Sequence, residues 1–444
     1  MKALRQNAGG SVLIIVLWIS FGLVSLALYL ANTMSLELRA ADNRAAALAA
    51  DQAIEGAARY ISEVLSAYAT NGVMPDRSLY EAEAVPVGDA RFWIIGRDPA
   101  WPRTYSDRVY FGLIDEASKL NLNTASTNQL QYLPGMHLDL LNAILDWRNP
   151  NAGGFSQIYY AMVQPPYTCK GAPFETVDEL RLVYGTSLEI LAGDDLNRNG
   201  ILDPHEPDLD GNNQWDPGLF EFLTVYSREP NFHSDGTMKT NVNNITQLMP
   251  LLEERLGPSR ASQIYVRLGF GGRRGGPPVA VKFESLLDFY LRSGMTADEF
   301  GLIYRDITVG TARYKRGLVN INTAPATVLA CLPGLDENTA QQIVNYRQTA
   351  ANLSSIAWIV DALGAGHPAL AQLARAEYIT TQSYQFTADI AAVGPHGRGY
   401  RRAKFVFDIT EGTPKILYRQ DLTRLGWALG ETVRRQLEGK TAYD

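Results

Sequence analysis

Residues Ser11 to Ala31 read SVLIIVLWISFGLVSLALYLA, a run without a single Asp, Glu, Lys or Arg. As a helix rising 1.5 Å per residue it is about 31 Å long, enough to cross a hydrocarbon core. Lys2 and Arg5 precede it, which assigns the leading residues to the cytoplasmic side and the bulk of the chain to the other. A cleavable secretory signal is the rival reading, but its apolar region runs about 7–15 residues and ends at a small-residue site. This run is longer and passes without proline into SLELRAADNRAAALAADQAIEGAARYISEVLSAYA, Ser35 to Ala69. There Ile54, Ala57, Ala58, Ile61, Val64 and Leu65 recur at helical spacing. The pattern predicts one helix over 11–72, spanning a membrane at 11–31 and amphipathic beyond.

The remaining chain is globular in composition. The whole chain has 444 residues, 46% hydrophobic and 20% charged, with a formal charge of -7. That length implies several domains, and the acidic balance argues against a protein built to hold nucleic acid. Two cysteines, Cys169 and Cys331, make neither a disulfide scaffold nor a four-thiolate zinc site; sequence leaves their pairing open. The five histidines are scattered, and no HExxH, GxSxG or GxxxxGK[ST] occurs. No catalysis is expected.

Internal repetition organises the middle of the chain. Asn121 to Arg148, NLNTASTNQLQYLPGMHLDLLNAILDWR, aligns without a gap to Asn320 to Arg347, NINTAPATVLACLPGLDENTAQQIVNYR. A weaker copy, NVNNITQLMPLLEERLGPSRASQIYVR, spans Asn241 to Arg267. Each reads as strand end, helix, tight turn, helix, with Thr124 and Thr323 as expected N-caps and Pro-Gly at the turn. The NxNTA…LPG pattern resembles the helix-hairpin-helix of competence-type DNA receptors. That mode wants a second glycine beside a phosphate and nearby cations. Here His137 and Asp336 stand at the second-glycine positions, and neither strong copy contains lysine. A packing and protein-recognition module is the favoured reading, with a membrane-anchored DNA receptor as an alternative.

The most specific chemistry lies at DLNRNGILDPHE, Asp195 to Glu206. It matches a twelve-residue calcium loop: Asp195 at position 1, Asn197 at 3, Asn199 at 5, Gly200 at 6, Asp203 at 9 and Glu206 at 12. Ile201 at position 7 supplies a main-chain carbonyl, and Leu202 is expected to point inward. Calcium takes six to eight hard oxygens, and Gly200 allows the sharp turn between them. A degenerate second loop follows with Asp208, Asp210, Asn212 and Asp216; Leu219 at its position 12 leaves Glu221 or a shared ligand to complete the shell. One Ca2+ is expected at the first loop; the degenerate loop reads equally as a second site or as a solvated acidic turn. Both read as rigidifying sites of the extracellular-module kind, with affinity of roughly 10⁻⁴–10⁻³ M.

Alternating, β-branched and aromatic runs at 90–97, 108–116, 384–393, 402–410 and 414–420 predict an antiparallel sheet built from both ends of the ectodomain. GFGGRRGGPP, Gly269 to Pro278, reads as a linker or surface loop.

The basic leader ending in Gly9-Gly10, directly before the apolar run, resembles a type IV prepilin signal. The resemblance implies cleavage by prepilin peptidase after Gly10, with Ser11 as the mature terminus. Most of that superfamily carries glutamate at the fifth mature position; Ile15 stands there. That departure, with PPYTCKGAPFETVDELRLVYG (Pro165 to Gly185) and LTVYSREPN (Leu223 to Asn231), resembles the minor pseudopilin K family of type II secretion. The resemblance implies an α+β fold: a pilin-like long N-terminal helix and antiparallel sheet carrying a large helical insert of sterile-alpha-motif-like or helix-hairpin-helix-like modules. The expected division is a leader at 1–10, the helix at 11–72, β structure at 73–118, an insert at 119–316 with calcium loops at 195–219, a second hairpin module at 317–376, and β structure with a final helix at 377–444. It further implies a single-pass inner-membrane protein with a periplasmic bulk, partnered by minor pseudopilins of the I and J types. No nucleic acid is expected. A calcium-dependent adhesin or scaffold is the remaining alternative.

Overall fold

The computed structural model describes residues 9–69, 72–98, 108–149, 155–270 and 281–439. Gly9–Ser66 form one α-helix of 58 residues, α1. It ends short of the expected residue 72 because Leu65 closes its buried stripe and the chain must then turn toward the sheet. The apolar window at its start is long enough to cross a membrane, and none of it is buried inside the protein.

Beyond that window α1 is rich in alanine, and this sets how closely the sheet approaches. Ala50, Ala53, Ala57, Ile61 and Leu65 are fully buried, while Val64 is half-buried. They pack with Phe92, Ile94, Phe386, Ile390, Phe405 and Phe407 in one core. The sheet comprises β1 (Val85–Val87), β2 (Ala90–Ile95), β3 (Ile114–Asp115), β4 (Gln385–Val393), β5 (Arg401–Asp408) and β6 (Lys415–Asp421). Its order is β1-β2-β4-β5-β6, with β3 pairing the start of β4, and every pair is antiparallel. Ile390 stands opposite Ile94 on one side and Ala403 on the other.

The strand expected at 108–116 shrinks to β3 and one bridge between Phe111 and Ile95. Gly96 donates to the Tyr110 carbonyl and Gly112 to the Ile94 carbonyl, both at 2.8 Å, and side chains take the next groups: Arg77 donates to the Phe111 carbonyl, and the Tyr80 hydroxyl accepts from the Leu113 N–H at 2.8 Å.

The direction of β4 fixes where the insert sits. Past one end of β4, Gly399 lies on α1 at Ala46; a Cβ there would stand 2.4 Å from the Ala46 carbonyl carbon, and its φ is +70°. Before the other end, Ser383 N–H donates to the Gly72 carbonyl at 2.9 Å. The insert leaves after β3 and returns at Ser383, so it rises from the end of α1 farthest from the apolar run.

Three modules compose the insert, each closed by a two-residue parallel pair: Leu120–Asn121 with Leu223–Thr224, Thr240–Asn241 with Ile307–Thr308, and Val319–Asn320 with Ile379–Thr380. The region expected as one insert at 119–316 is therefore two modules, and the weak repeat at Asn241 opens a complete one. Its helices are Ile245–Leu256, Pro258–Arg267, Leu286–Ser293 and Ala297–Ile303. The third module has the same two-hairpin plan: Ala326–Ala330, Glu337–Arg347, Trp358–Leu363 and Pro368–Leu373.

The repeated asparagines explain the plan. The first of each NxN accepts the N–H two residues on, at 3.0 Å for Asn121, 2.9 Å for Asn241 and 2.9 Å for Asn320. The second reaches the start of the other hairpin: Asn123 pairs in both directions with Phe174, Asn243 with Phe283, and Asn322 holds the Leu353 carbonyl and the Trp358 indole. Between them Leu122, Val242 and Ile321 are fully buried.

Thr124 and Thr323 do not cap helices as expected. The helices begin later, with Ser126 and Pro325 at the cap positions. Thr323 instead donates to Asp115 at 2.6 Å, which also accepts from Ser383 at 2.5 Å and Asn320 at 2.9 Å. Burial pushes the Asp115 carboxyl upward even so. Its neighbour Glu116 accepts from Thr387 at 2.6 Å and from Thr224, and Lys119 and Lys404 outweigh its burial and hold its pKa low. These adjacent carboxylates tie the sheet to the first and third modules.

Asn322→Ala removes two of the third module's cross-links at once. It is expected to lower stability by about 1–3 kcal/mol, because the Leu353 carbonyl and Trp358 indole lose their partner; urea denaturation followed by tryptophan fluorescence reads the change.

Candidate metal centre

The loop from Asp195 begins three residues after the short helix Leu188–Ala192 and folds on its own hydrogen bonds. Asp195 accepts from the Asn199 N–H on one oxygen and the Gly200 N–H on the other, both at 2.8 Å, and from the Trp215 indole at 3.1 Å. Asn199 Oδ1 accepts from the Ile201 N–H at 3.0 Å. The amide groups of Asn197 and Asn199 both donate to Asp203, at 2.6 and 2.8 Å. Glu206 accepts from the N–H groups of Asn197 and Asp203, at 2.9 and 3.0 Å. Gly200 has φ +86°, the left-handed turn the motif requires.

The five side chains named from sequence therefore meet one another. Among the described residues no three His, Cys, Asp or Glu side chains form a metal-holding group by themselves. The pattern does not need one, since asparagine amides and a main-chain carbonyl supply part of the shell. One buried acceptor has no partner: Asn197 Oδ1, at position 3 of the motif. Burial pushes Asp195 up to about 6 against the pull of Arg97, and pushes Glu206 up to about 7, where Asp195 and Asp203 add repulsion. An orphaned oxygen among carboxylates resisting charge fits a hard cation, which would neutralise them.

The inward residue is Ile201, not Leu202. Ile201 is 5% exposed and joins the core of the sheet and α1, whereas Leu202 is half-buried. The Ile201 side chain reaches that core beside Gly430, where an added Cβ would stand 3.7 Å from it.

The second loop repeats the first. Asp208 accepts from the Asn212 N–H at 3.1 Å and the Asn213 N–H at 2.9 Å, Asn212 Oδ1 accepts from Gln214, and Asn212 Nδ2 donates to Asp210 and Asp216 at 2.8 Å each. Asn213 takes the positive φ, +56°, that Gly200 takes in the first. Glu221 is not its missing ligand, since it pairs with Arg97 at 2.8 Å. Asp194, which sequence reading passed over, lies against this loop and accepts from the Leu209 N–H at 3.2 Å. Its Oδ2 is buried without a partner, and its carboxyl is pushed up by burial and then by Asp216, Asp208 and Asp210. Its signal was the doubled aspartate at Asp194-Asp195.

The first loop also joins the insert to the sheet. Arg402, its side chain wholly buried, pairs with Asp389 at 2.6 Å and donates to the carbonyls of Asn197 and Arg198. Asn197 Nδ2 donates to the Trp427 carbonyl at 3.2 Å.

The hairpins lack the chemistry of a phosphate site. A Cβ on Gly334 would stand 3.0 Å from Gln372 and 3.1 Å from Ala369, so that turn faces the second hairpin of its own module. His137 and Asp336 cap the helices that follow them. The closing arginines bind carbonyls within their own modules, Arg148 those of Leu122 and Ala125, Arg347 those of Ile321 and Ala324. Cys169 and Cys331 are free thiols, Cys331 buried and pushed up to about 12. Most of the Gly269–Pro278 loop lies outside the described residues.

A family model described as a helix-hairpin-helix motif matches residues 315–376, the third module. No curated protein sequence matches this chain. Among solved structures, a chain of the GspK-GspI-GspJ complex of the type 2 secretion system from enterotoxigenic Escherichia coli is similar at 10% identity and TM-score 0.42, over 84% of this chain and 96% of that one.

Titration calorimetry on chelator-treated protein is expected to count two Ca2+ ions. Asp194→Asn should reduce the count to one and leave the first site intact, while Glu206→Gln should remove the first. At a hundredfold excess over Kd, calcium should stabilise the wild type by about 2.7 kcal/mol for each occupied site, and Glu206→Gln should lose the first site's share.

Proposed function

We propose that this chain is a minor pseudopilin of the K type, capping a short periplasmic pseudopilus of a type II secretion system. The observation that carries the reading is the placement of the insert. Three helical modules rise from the end of α1 farthest from its apolar run, where a subunit stacked above would have to fit. A mass of that size obstructs addition on that side and suits the first subunit of a filament. The Gly9-Gly10 leader and Ile15 support the same reading from sequence.

In this reading prepilin peptidase cuts after Gly10, α1 holds the subunit in the inner membrane and then packs among other helices, and I-type and J-type minor pseudopilins are its partners. Ca2+ would be held by Asp195, Asn197, Asn199, Asp203, Glu206 and the Ile201 carbonyl, with Asp194, Asp208, Asp210, Asn212 and Asp216 at the second loop. When bound it supplies positive charge that lets these acids stay ionised side by side. The chain's own contribution is to fix that loop against Arg402 and the sheet, so that the insert keeps one orientation. The role is structural, in assembly for protein export. The packing of the hairpin glycine and arginines counts against the DNA-receptor alternative.

The ectodomain from Ser35 is expected to form a defined heterotrimer with the I-type and J-type ectodomains of its own system, measured by size exclusion with light scattering. Loss of the trimer in chelator would tie the Asp195–Glu206 loop to assembly. Clean monomers in both conditions would overturn the reading and favour a scaffold or adhesin. So would a Gly10→Val chain that is left uncut yet still supports secretion.

A further inference from the structure

A cleft of about 600 Å³ opens between the 230–239 segment, the middle module and the residues leading into β4. It shares no residue with the metal loops, and neither the hairpins nor the pseudopilin reading assigns it a task. Its cations are Lys239, Arg305 and Arg313. The acids at its edge are already engaged: Asp306 with Arg255 at 2.9 Å, Glu411 with Lys415, and Asp235 with Thr237 at 2.6 Å. None of the three cationic groups has a hydrogen-bonding or ion-pair partner among the described residues. Arg313 is only stacked, its guanidinium 4.5 Å from the Phe232 ring centre. Lys239 is the most enclosed, and burial works against its charge. Glu229 and Asp306 attract this ammonium without bonding to it, and burial outweighs them, so an added anion would lower the cost of keeping it charged.

We propose that this cleft binds a short acidic peptide segment of a partner protein, its carboxylates meeting Lys239, Arg305 and Arg313 and its apolar groups lying on Phe232 and Tyr384. The volume is in the range of sites that enclose a drug-sized ligand or a few residues. Membrane lipid is out of reach: Ala69 lines the cleft, and α1 runs about 50 Å from Ala31 to its end. A nucleic-acid strand is disfavoured by the carboxylates of Asp235, Asp306 and Glu411 at the mouth, which would face its phosphates. A peptide meets both features, because single carboxylates can be spaced between such acids and separated by apolar side chains. The proposal does not depend on the pseudopilin reading, since the cleft is defined by its own residues.

Fluorescence anisotropy on the full chain in detergent tests it, with a fluorescein-labelled hexapeptide of alternating glutamate and leucine as probe and its glutamine counterpart as control. The glutamate peptide should bind and the control should not. Arg305→Ala with Arg313→Ala should weaken binding by roughly tenfold or more, the scale of losing a charge-assisted hydrogen bond. Both arginines are exposed, so the fold is retained; Lys239→Met should weaken binding further. Equal binding of the two peptides, binding unchanged in the arginine variant, or no binding at all would each overturn the proposal. Displacement of the peptide by inorganic phosphate at equal concentration would also overturn it, by showing that the cleft reads charge alone.

Discussion

Burying a guanidinium is among the most expensive things a fold can do, and this one does it with Arg402 at the junction of its two halves. Asp389 alone would leave the fork of donors half-used. The rest of the fork goes to the Asn197 and Arg198 carbonyls, so the pair is satisfied only while the acidic loop sits on the sheet. The loop is in turn held by acids that repel one another. Sheet, arginine and loop are thus mutually conditional, and the angle of the insert on the body follows from that dependence.

A second attachment lies at Asp115 and Glu116, where the chain enters the insert. Adjacent carboxylates receive hydroxyls and an amide from the sheet and from the first and third modules. Neither attachment involves a large apolar surface. The two hydrophobic cores are separate, one within the modules and one between α1 and the sheet, with Ile201 the insert side chain that enters the second. Polar geometry, more than shared packing, carries the registration between them.

How much of this could be read from the chain depended on the span of each interaction. The long helix, the strands at 90–97, 384–393, 402–410 and 414–420, and the loop at 195–206 were legible because periodicity or spacing is local. The strand at 108–116 was legible only in part, because its Phe111 carbonyl and Leu113 N–H are taken by Arg77 and Tyr80. The middle module was half-hidden. Its opening NVN is recognisable, but its closing partners Phe283 and Thr308 lie far along the chain. Asp194 was passed over for a similar reason: its carboxylate serves the loop after the one it adjoins. Thr323 looked like a cap because a nearby helix start is the common use of threonine, whereas its hydroxyl serves a carboxylate more than two hundred residues away.

The parallel pairs that close the modules have a consequence for how such a chain can change. Each module starts and stops on neighbouring strands, so its two ends leave in step with one another whatever lies between. A whole module can be gained or lost with little disturbance to the path on either side, and segments between the pairs can lengthen freely. The insert is in this sense extensible by duplication, and the three related openings at Asn121, Asn241 and Asn320 are the trace such a history would leave.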